Sequence, residues 1–283
     1  MLSKNIETFI GCDCEYEEAK VVLFGAPFDS TTSNRPGTRF GSRAIRGESF
    51  GLETYSPYLD KDLTDYSFFD SGDLELCFGD SELALDAIRE RAEIILEDGK
   101  LPFMIGGEHL VTLGAVRAAA DKYPDLHIIH FDAHADLRDE YLGAGLSHAC
   151  VLRRCHGILG DGRIFQFGIR SGDREEFQWG KEHVFTRKFD FEGLEQVVEQ
   201  LKGKPVYFTI DLDVLDPSVF PGTGTPEAGG VSFLELLHAI YTVCAGSRVV
   251  ACDVNELSPA YDPSGISTAT ACKVVRELLL SLV

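Results

Sequence analysis

The sequence has no long apolar run, no basic leader and no excess of positive charge. No stretch of the 283 residues approaches the length that crosses a bilayer, and the first 20 residues do not resemble a signal peptide. The 46 acidic and 26 basic side chains give a net charge of −20, which disfavours nucleic acid and anionic membranes as partners. We therefore expect a cytoplasmic protein that binds neither, although such a charge also simply favours solubility.

Paired cysteine motifs are missing as well. The 8 cysteines are scattered along the chain without a CxxC pair. Cys12 and Cys14 form one CxC motif, but a structural zinc site needs a second pair. We interpret the cysteines as reduced thiols of a cytosolic protein.

Short apolar runs rich in β-branched and aromatic residues recur along the chain. Such runs are typical of strands buried on both faces, and hence of a parallel sheet. Helical patterns separate several of them, and Ser232 is a candidate N-cap for the last helix. The runs lie at 21–28, 66–70, 101–107, 126–134, 163–170, 206–214 and 248–257, and the helical patterns at 81–100, 109–123 and 232–246.

The alternation of strands and helices predicts a doubly wound α/β fold. Its central, mostly parallel sheet lies between two layers of helices, which makes three layers α/β/α. The length, and the lack of a repeat or linker, predict a single domain over residues 1–283. Because ligands bind at the carboxyl ends of strands in such sheets, residues that follow the apolar runs are the first candidates for a site.

The strongest signal follows the apolar run IIHF. Asp132, His134 and Asp136 occupy alternate positions, and alternate residues of an extended chain point to the same side. Asp and His are poor strand residues, and a buried Asp is nearly always paired. We therefore interpret this DxHxD motif as metal ligands rather than as a polar strand edge.

Two other segments add candidates. Asp211 and Asp213 repeat the alternate spacing, and two carboxylates at one strand end repel each other without a cation. Asp216, beside a proline and a Gly-rich loop, is interpreted as a turn residue. His109, in the motif GGEH, stands near a helix start, where it is a weak signal on its own.

These segments together supply two histidines, four aspartates and no cysteine. Oxygen-rich ligands with some imidazole suit Mn²⁺, or Fe²⁺ or Co²⁺. Two divalent cations balance four ionised carboxylates, whereas one leaves an excess of negative charge. We therefore predict two metal ions, roughly 3.5–4 Å apart, that activate a water between them.

Three more polar residues lie near the predicted strand ends. Asp253 is interpreted as a structural hydrogen-bonding residue. Glu256 is open between a structural role and the binding of a cationic group. His148 lies in a Gly-rich loop, where a lone histidine is usually only solvated. It is a candidate because this loop leaves the expected site, where a histidine with a pKa near neutrality can pass a proton to a leaving amine.

At this point the sequence resembles the ureohydrolase family of arginases and agmatinases. The resemblance runs from about Phe24 to the C-terminus and implies an arginase-like fold and a homo-oligomer, either a trimer or a hexamer. The matching segments are GGEH (106–109), FDAHAD (131–136), SHAC (147–150), DLDVLDPSVFPGTGTPEAGG (211–230) and DVNELSPAYD (253–262).

The resemblance also implies a role for each site residue. A hydroxide held between two Mn²⁺ ions attacks the guanidinium carbon, and Asp136 helps to stabilise the tetrahedral intermediate. Glu256 binds the guanidinium group and His148 carries the proton. The implied ligands are His109, Asp132, Asp136 and Asp211 for one ion, and Asp132, His134, Asp211 and Asp213 for the other.

Within the family, the segments 27–46 and 168–176 resemble agmatinases. The segment after Asp136 lacks the Ser-Gly-Asn-x-His with which arginases hold the α-amino and α-carboxylate groups, so arginine is disfavoured. We therefore predict a small cationic guanidino substrate, agmatine, and its hydrolysis to putrescine and urea. Ala149-Cys150 replace the usual Gly-Thr, which leaves guanidinobutyrate or another guanidino compound open.

Three alternatives remain open at this point. One is a different ureohydrolase, such as a guanidinobutyrase or a formiminoglutamase. The others are a mononuclear zinc deacylase on a related fold and a catalytically silent member of the family. The complete set of six ligands argues against the last two.

Overall fold

An eight-stranded parallel sheet forms the centre of the computed structural model, which describes residues 7–283. Residues 1–6 lie outside the described part of the chain. They belong to the stretch in which we expect no signal peptide. The strand order is β4-β1-β5-β10-β9-β6-β7-β8, and every neighbouring pair is parallel. The strands are β1 (Val21–Ala26), β4 (Phe68–Asp73), β5 (Leu101–Gly106), β6 (His127–Phe131), β7 (Ile164–Ile169), β8 (Phe185–Lys188), β9 (Pro205–Asp211) and β10 (Arg248–Asn255), with β2 (Tyr55–Ser56) and β3 (Lys61–Asp62) as a separate antiparallel pair.

Helices cover both faces of this sheet. One hydrophobic core joins the sheet to α1, α6, α7 and α8, and a second joins it to α2, α3 and α4. Within residues 7–283 the helices are α1 (Gly41–Ser49), α2 (Ser81–Glu97), α3 (Thr112–Lys122), α4 (Val151–Leu159), α5 (Arg174–His183), α6 (Leu194–Gln200), α7 (Phe233–Gly246) and α8 (Ile266–Ser281). The predicted three-layer α/β/α architecture is confirmed.

Alternation within the strands supplies both cores. In β5, Phe103 and Ile105 face one core while Met104 faces the other, as the side-chain period of two requires. Both faces are covered, so the strands are continuous apolar runs in the sequence. None of the helices in the described part of the chain is long and apolar enough to span a membrane.

Capping residues set the helix starts. The Ser232 hydroxyl accepts a hydrogen bond from the backbone N–H of Glu235, and the Glu235 carboxylate accepts one from the backbone N–H of Ser232, so the predicted cap of α7 is confirmed. Asp173 and Glu176 form the same capping box at α5. Helix α2 ends at Glu97, before Gly99 at φ +73°, where glycine is the residue that adopts a left-handed conformation at least cost.

The elements depart from the sequence prediction where apolar periodicity is weak. The apolar run at 126–134 is too long for its strand, because β6 ends at Phe131 and the chain then turns. The sequence analysis did not find the edge strand β8, whose residues are half-buried or exposed. An edge strand has one neighbour and an open side, and therefore lacks the apolar signature of an inner strand.

Four adjacent strands place the candidate residues together. Strands β5, β10, β9 and β6 are neighbours at the centre of the sheet, and being parallel they end at the same edge. The chain passes from β5 to β6 across two strand positions that β10 and β9 fill later. Ligand sites of open α/β sheets lie at such a topological switch point.

Gly107 shows how tightly this edge is packed. A Cβ at Gly107 would lie 2.0 Å from the carbonyl oxygen of Phe28, which accepts the N–H of Glu108. We therefore expect Gly107→Ala to lower the free energy of unfolding by about 3 kcal/mol, measured by urea denaturation. The control is Gly157→Ala in α4, where a Cβ meets nothing within 4 Å and alanine stabilises the helix by about 1 kcal/mol. Equal unfolding free energies for Gly107→Ala and the wild type would contradict this packing.

Candidate metal centre

All six predicted ligands lie at the carboxyl ends of β5, β6 and β9. Five of the six are buried, and His134 is half-buried. Asp211 is the last residue of β9, and Asp213 lies in the 3₁₀ turn Leu212–Val214 that follows. His109 begins the 3₁₀ turn His109–Val111, which leads into α3.

A turn, rather than an extended strand, brings the DxHxD motif together. Asp132 Oδ1 accepts the N–H of His134 at 2.5 Å, and Asp136 has φ +53°, in the left-handed region. The expectation that strand alternation aligns these residues is therefore wrong, because the strand has ended before they begin. Asp211 Oδ1 accepts the N–H of Asp213 at 2.9 Å in the same way.

His109 Nδ1 faces three carboxylates. It lies 3.0 Å from Asp132 Oδ2, 3.2 Å from Asp136 Oδ2 and 3.5 Å from Asp211 Oδ2. One imidazole nitrogen and three carboxylate oxygens therefore surround a single point.

His134 forms a second group around the other side of Asp132. His134 Nδ1 lies 3.0 Å from Asp213 Oδ2 and 3.5 Å from Asp132 Oδ1. Asp132 thus presents Oδ2 to the His109 group and Oδ1 to the His134 group. The two groups are adjacent and share this carboxylate.

The carboxylates need positive charge nearby. Burial, together with the charge of Asp132, raises the pKa of Asp136 to about 7. Burial and the neighbouring Asp213 raise the pKa of Asp211. Although burial opposes protonation of His109, hydrogen bonds to Asp132 and Asp136 raise its pKa well above the usual value. Asp136, Asp211 and His109 therefore keep their protons to higher pH than the free side chains do.

The other nitrogen of His109 is also held. His109 Nε2 lies 2.9 Å from Thr209 Oγ1, and the backbone N–H of His109 donates to Glu256 Oε1 at 2.8 Å. Such contacts behind a ligating imidazole fix its ring orientation. The ring of His109 is thus oriented from β9, and its backbone is held by the residue that follows β10.

Asp253 has the structural role predicted for it. Its carboxylate accepts hydrogen bonds from Tyr207 Oη at 2.5 Å, Thr112 Oγ1 at 2.8 Å and Asn255 Nδ2 at 2.7 Å. The residue is buried, so these three donors compensate for its lost hydration.

Asp216 has the turn role predicted for it. Its carboxylate accepts hydrogen bonds from the backbone N–H groups of Ser218, Gly229 and Gly230.

Sequence analysis missed His130, which was taken as part of an apolar run. The side chain is buried, and Nε2 lies 2.8 Å from Asp132 Oδ2. Its Nδ1 lies 3.0 Å from Gln166 Nε2. The available signal was its position two residues before Asp132 in the sequence.

Glu108 was also missed. Its buried carboxylate accepts hydrogen bonds from Thr31 Oγ1 at 2.5 Å and from Thr32 Oγ1 at 2.9 Å. Burial raises the pKa of Glu108 to about 7, although these hydrogen bonds oppose the shift. Thr31 Oγ1 in turn accepts the N–H of His148 at 3.1 Å, so Glu108 positions the segment that carries His148.

His148 opens onto a cavity of about 270 Å³. Its Nε2 lies 3.0 Å from Ser33 Oγ, and burial lowers its pKa to about 4, assisted by His134 and His109. The cavity reaches two of the predicted ligands, His134 and Asp136. Its lining is Ser33, His134, Ala135, Asp136, Arg138, Tyr141, His148, Ala149, Ser171, Gly172, Asp173, Glu176 and Thr225.

Glu256 is buried beside His109 and is not among the residues that line the cavity. It has φ +69°, and its backbone N–H donates to the carbonyl of Gly107 at 2.9 Å. Burial and the nearby Glu108 raise its pKa well above the usual range. Its place beside His109 is compatible with a structural role and with the binding of a cationic group, the two roles that the sequence leaves open.

Comparison with known proteins identifies the family of this chain. The Arginase family profile matches residues 19–281. An agmatinase of Bacillus subtilis (strain 168) is 49% identical over 280 residues, covering 98% of this chain and 97% of the relative. A guanidinobutyrase of Pseudomonas aeruginosa is 33% identical over 281 residues, covering 95% and 88%.

A solved structure shows the same fold. The agmatine ureohydrolase of Thermoplasma volcanium superposes with a TM-score of 0.90 at 36% identity, covering 99% of this chain and 95% of that one. The expected arginase-like fold is therefore confirmed. The chain belongs to the arginase (ureohydrolase) family and is an amidinohydrolase.

Proposed function

We propose that this chain is a binuclear manganese hydrolase that cleaves agmatine to putrescine and urea. The convergence of four aspartates and two histidines at one sheet edge carries the proposal. The similarity to a Bacillus subtilis agmatinase over nearly the whole chain supports the choice of substrate. The family resemblance further supports a cytoplasmic trimer or hexamer.

The donor set fits two divalent cations. His109, Asp132, Asp136 and Asp211 would hold one ion, and Asp132, His134, Asp211 and Asp213 the other. Four carboxylates and two imidazoles without a thiolate suit Mn²⁺. When bound, such a pair of ions acidifies water so that it becomes a nucleophile near neutral pH.

The chain's own groups bind the substrate and move the proton. Glu256 accepts paired hydrogen bonds from the planar guanidinium group. Asp136, which faces the cavity, accepts hydrogen bonds from the amino groups of the tetrahedral intermediate. His148 relays a proton from solvent to the departing amine. Burial lowers its pKa to about 4, below the near-neutral value that the sequence predicts, so the imidazole is neutral at rest and is protonated only during the relay.

Charges at the cavity wall favour a cationic tail. Arg138 Nη1 lies 3.2 Å from Asp173 Oδ2, and Arg138 Nε lies 3.3 Å from Glu176 Oε2. Two carboxylates therefore surround one guanidinium, which leaves a negative balance for the ammonium group of agmatine. Arg138 is also a cation in the lining, and this favours guanidinobutyrate as the second candidate.

Loss of a bridging carboxylate should abolish metal binding. We expect Asp132→Ala to lose bound Mn²⁺ and urea release together, because Asp132 faces both groups of ligands. The measurements are manganese content per chain and a urea assay with agmatine. Asp86→Asn, at an exposed position of α2, is the control and should retain both. A variant Asp132→Ala with full manganese and full activity would refute the centre.

Loss of His148 should slow the reaction without emptying the centre. We expect His148→Ala to keep its manganese and to lower kcat by about 10²–10⁴-fold, as for other proton-transfer residues. Urea release at saturating agmatine measures the change. An unchanged kcat would show that His148 has no part in proton transfer.

The substitution Arg138→Gln distinguishes agmatine from guanidinobutyrate as the substrate. If agmatine is the substrate, Arg138→Gln removes a repelling charge, and the KM for agmatine should stay the same or fall. If guanidinobutyrate is the substrate, its KM should rise by about tenfold, since a lost charge contact costs about 1.4 kcal/mol. A urea assay with agmatine, arginine and guanidinobutyrate decides. Release of formamide in place of urea would indicate a formiminoglutamase.

A further inference from the structure

A second cluster of ligating side chains lies where α4 and α5 end. His156 belongs to the last turn of α4, Asp161 follows in the turn toward β7, and His183 is the last residue of α5. His156 Nε2 lies 2.8 Å from Asp161 Oδ1, and His183 Nδ1 lies 2.6 Å from the same oxygen. None of the three lines the cavity described above. Two imidazoles and one carboxylate thus converge on one point from separate elements.

Aromatic contacts hold the two rings in place. Trp179 stacks on His183 with ring centroids 4.3 Å apart, and it meets His156 edge-on at 4.7 Å. The guanidinium carbon of Arg153 lies 3.7 Å from the ring centroid of Trp179. The imidazoles are therefore oriented by packing as well as by their hydrogen bonds to Asp161.

The turn that carries Asp161 is also fixed. Gly160 and Gly162 flank it with φ +83° and +72°, conformations that glycine adopts without strain. The N–H of Gly162 donates to the carbonyl of His183 at 3.2 Å. The N–H of Gly160 donates to the carbonyl of His156 at 2.8 Å, so the backbone before the carboxylate is tied to α4 and the backbone after it to the end of α5.

The cluster is accessible to a hydrated ion. The side chains of His156, His183 and Asp161 are 18%, 27% and 68% exposed. Their ligand atoms all lie within 4.8 Å of one another, and ligands at about 2.0–2.2 Å from one zinc ion are at most about 4.4 Å apart. The net charge of −20 raises the local concentration of cations.

We propose that His156, Asp161 and His183 form a second metal site, which binds Zn²⁺ or a similar borderline ion with water at the remaining position. Its donor set differs from that of the candidate metal centre. Two imidazoles and a single carboxylate suit Zn²⁺, Ni²⁺ or Cu²⁺, whereas the carboxylate-rich centre suits Mn²⁺. Zn²⁺ would therefore prefer the second site, and Mn²⁺ the candidate metal centre.

A bound ion would join the ends of two helices that shape the cavity. The turn His148–Cys150 leads directly into α4, and α5 begins beside Asp173, which lines the cavity with Glu176. Zinc at the far ends of α4 and α5 would stabilise their pairing without touching the reacting groups. The proposal stands independently of the identity of the substrate.

Zinc counting tests the site on the full chain. Protein loaded with Mn²⁺ is equilibrated with a small excess of Zn²⁺ and desalted, and both metals are counted per chain. We expect His156→Ala and His183→Gln each to hold one Zn²⁺ fewer than the wild type. Urea release with Mn²⁺ as the only metal should stay at the wild-type rate in both variants. His238→Ala, at an exposed position of α7, is the matched control and should keep the wild-type zinc count.

A second measurement covers the case in which a variant folds poorly. Zn²⁺ should raise the melting temperature of the Mn²⁺-loaded wild type, and of His238→Ala, more than that of Asp161→Asn. Equal zinc counts in wild type and variants would overturn the proposal. A lower melting temperature of the variants with an unchanged zinc count would also overturn it, because the cluster would then be a hydrogen-bonded triad only.

Discussion

Mutual repulsion among buried carboxylates is the constraint on which the site depends. Asp132, Asp136, Asp211, Asp213 and Glu256 are all buried at the edge of one sheet. Ionised carboxylates in such surroundings are costly unless positive charge compensates them. His109 and His134 supply part of that charge, and both have a raised pKa. Bound cations, as proposed above, would supply the rest of the compensating charge.

The scaffold holds this arrangement with strained backbone and buried hydrogen bonds. Asp136 and Glu256 adopt positive φ, which is uncommon for residues with a Cβ and concentrates at functional sites. Asn255 links Asp253 to Thr112 beneath the centre. Such contacts fix the positions of neighbouring side chains, as the proposed metal centre would require.

The sequence was sufficient to predict the architecture and the six side chains that converge at one sheet edge, and it was insufficient to predict the geometry of their convergence. Buried strands and capped helices have strong periodic signals, so the sheet and the cap at Ser232 were predictable. The path of the chain through residues 132–136 was not, since it depends on hydrogen bonds such as that between Ala135 and Ser171, 36 positions apart. The sequence analysis missed His130 and Glu108 for a similar reason. Their partners Gln166 and Thr31 come from distant segments of the chain.

The position of β10 has a consequence for how the chain folds. This strand is the last of the sheet in chain order, yet it lies between β5 and β9. During synthesis the two halves of the sheet therefore stay apart until residue 255 has left the ribosome, and β5 and β9 each expose an unpaired edge. Insertion of a strand between two earlier ones is a long-range step, which slows folding and favours aggregation of unfinished chains. Premature termination before β10 should thus yield insoluble fragments rather than a smaller, weaker enzyme.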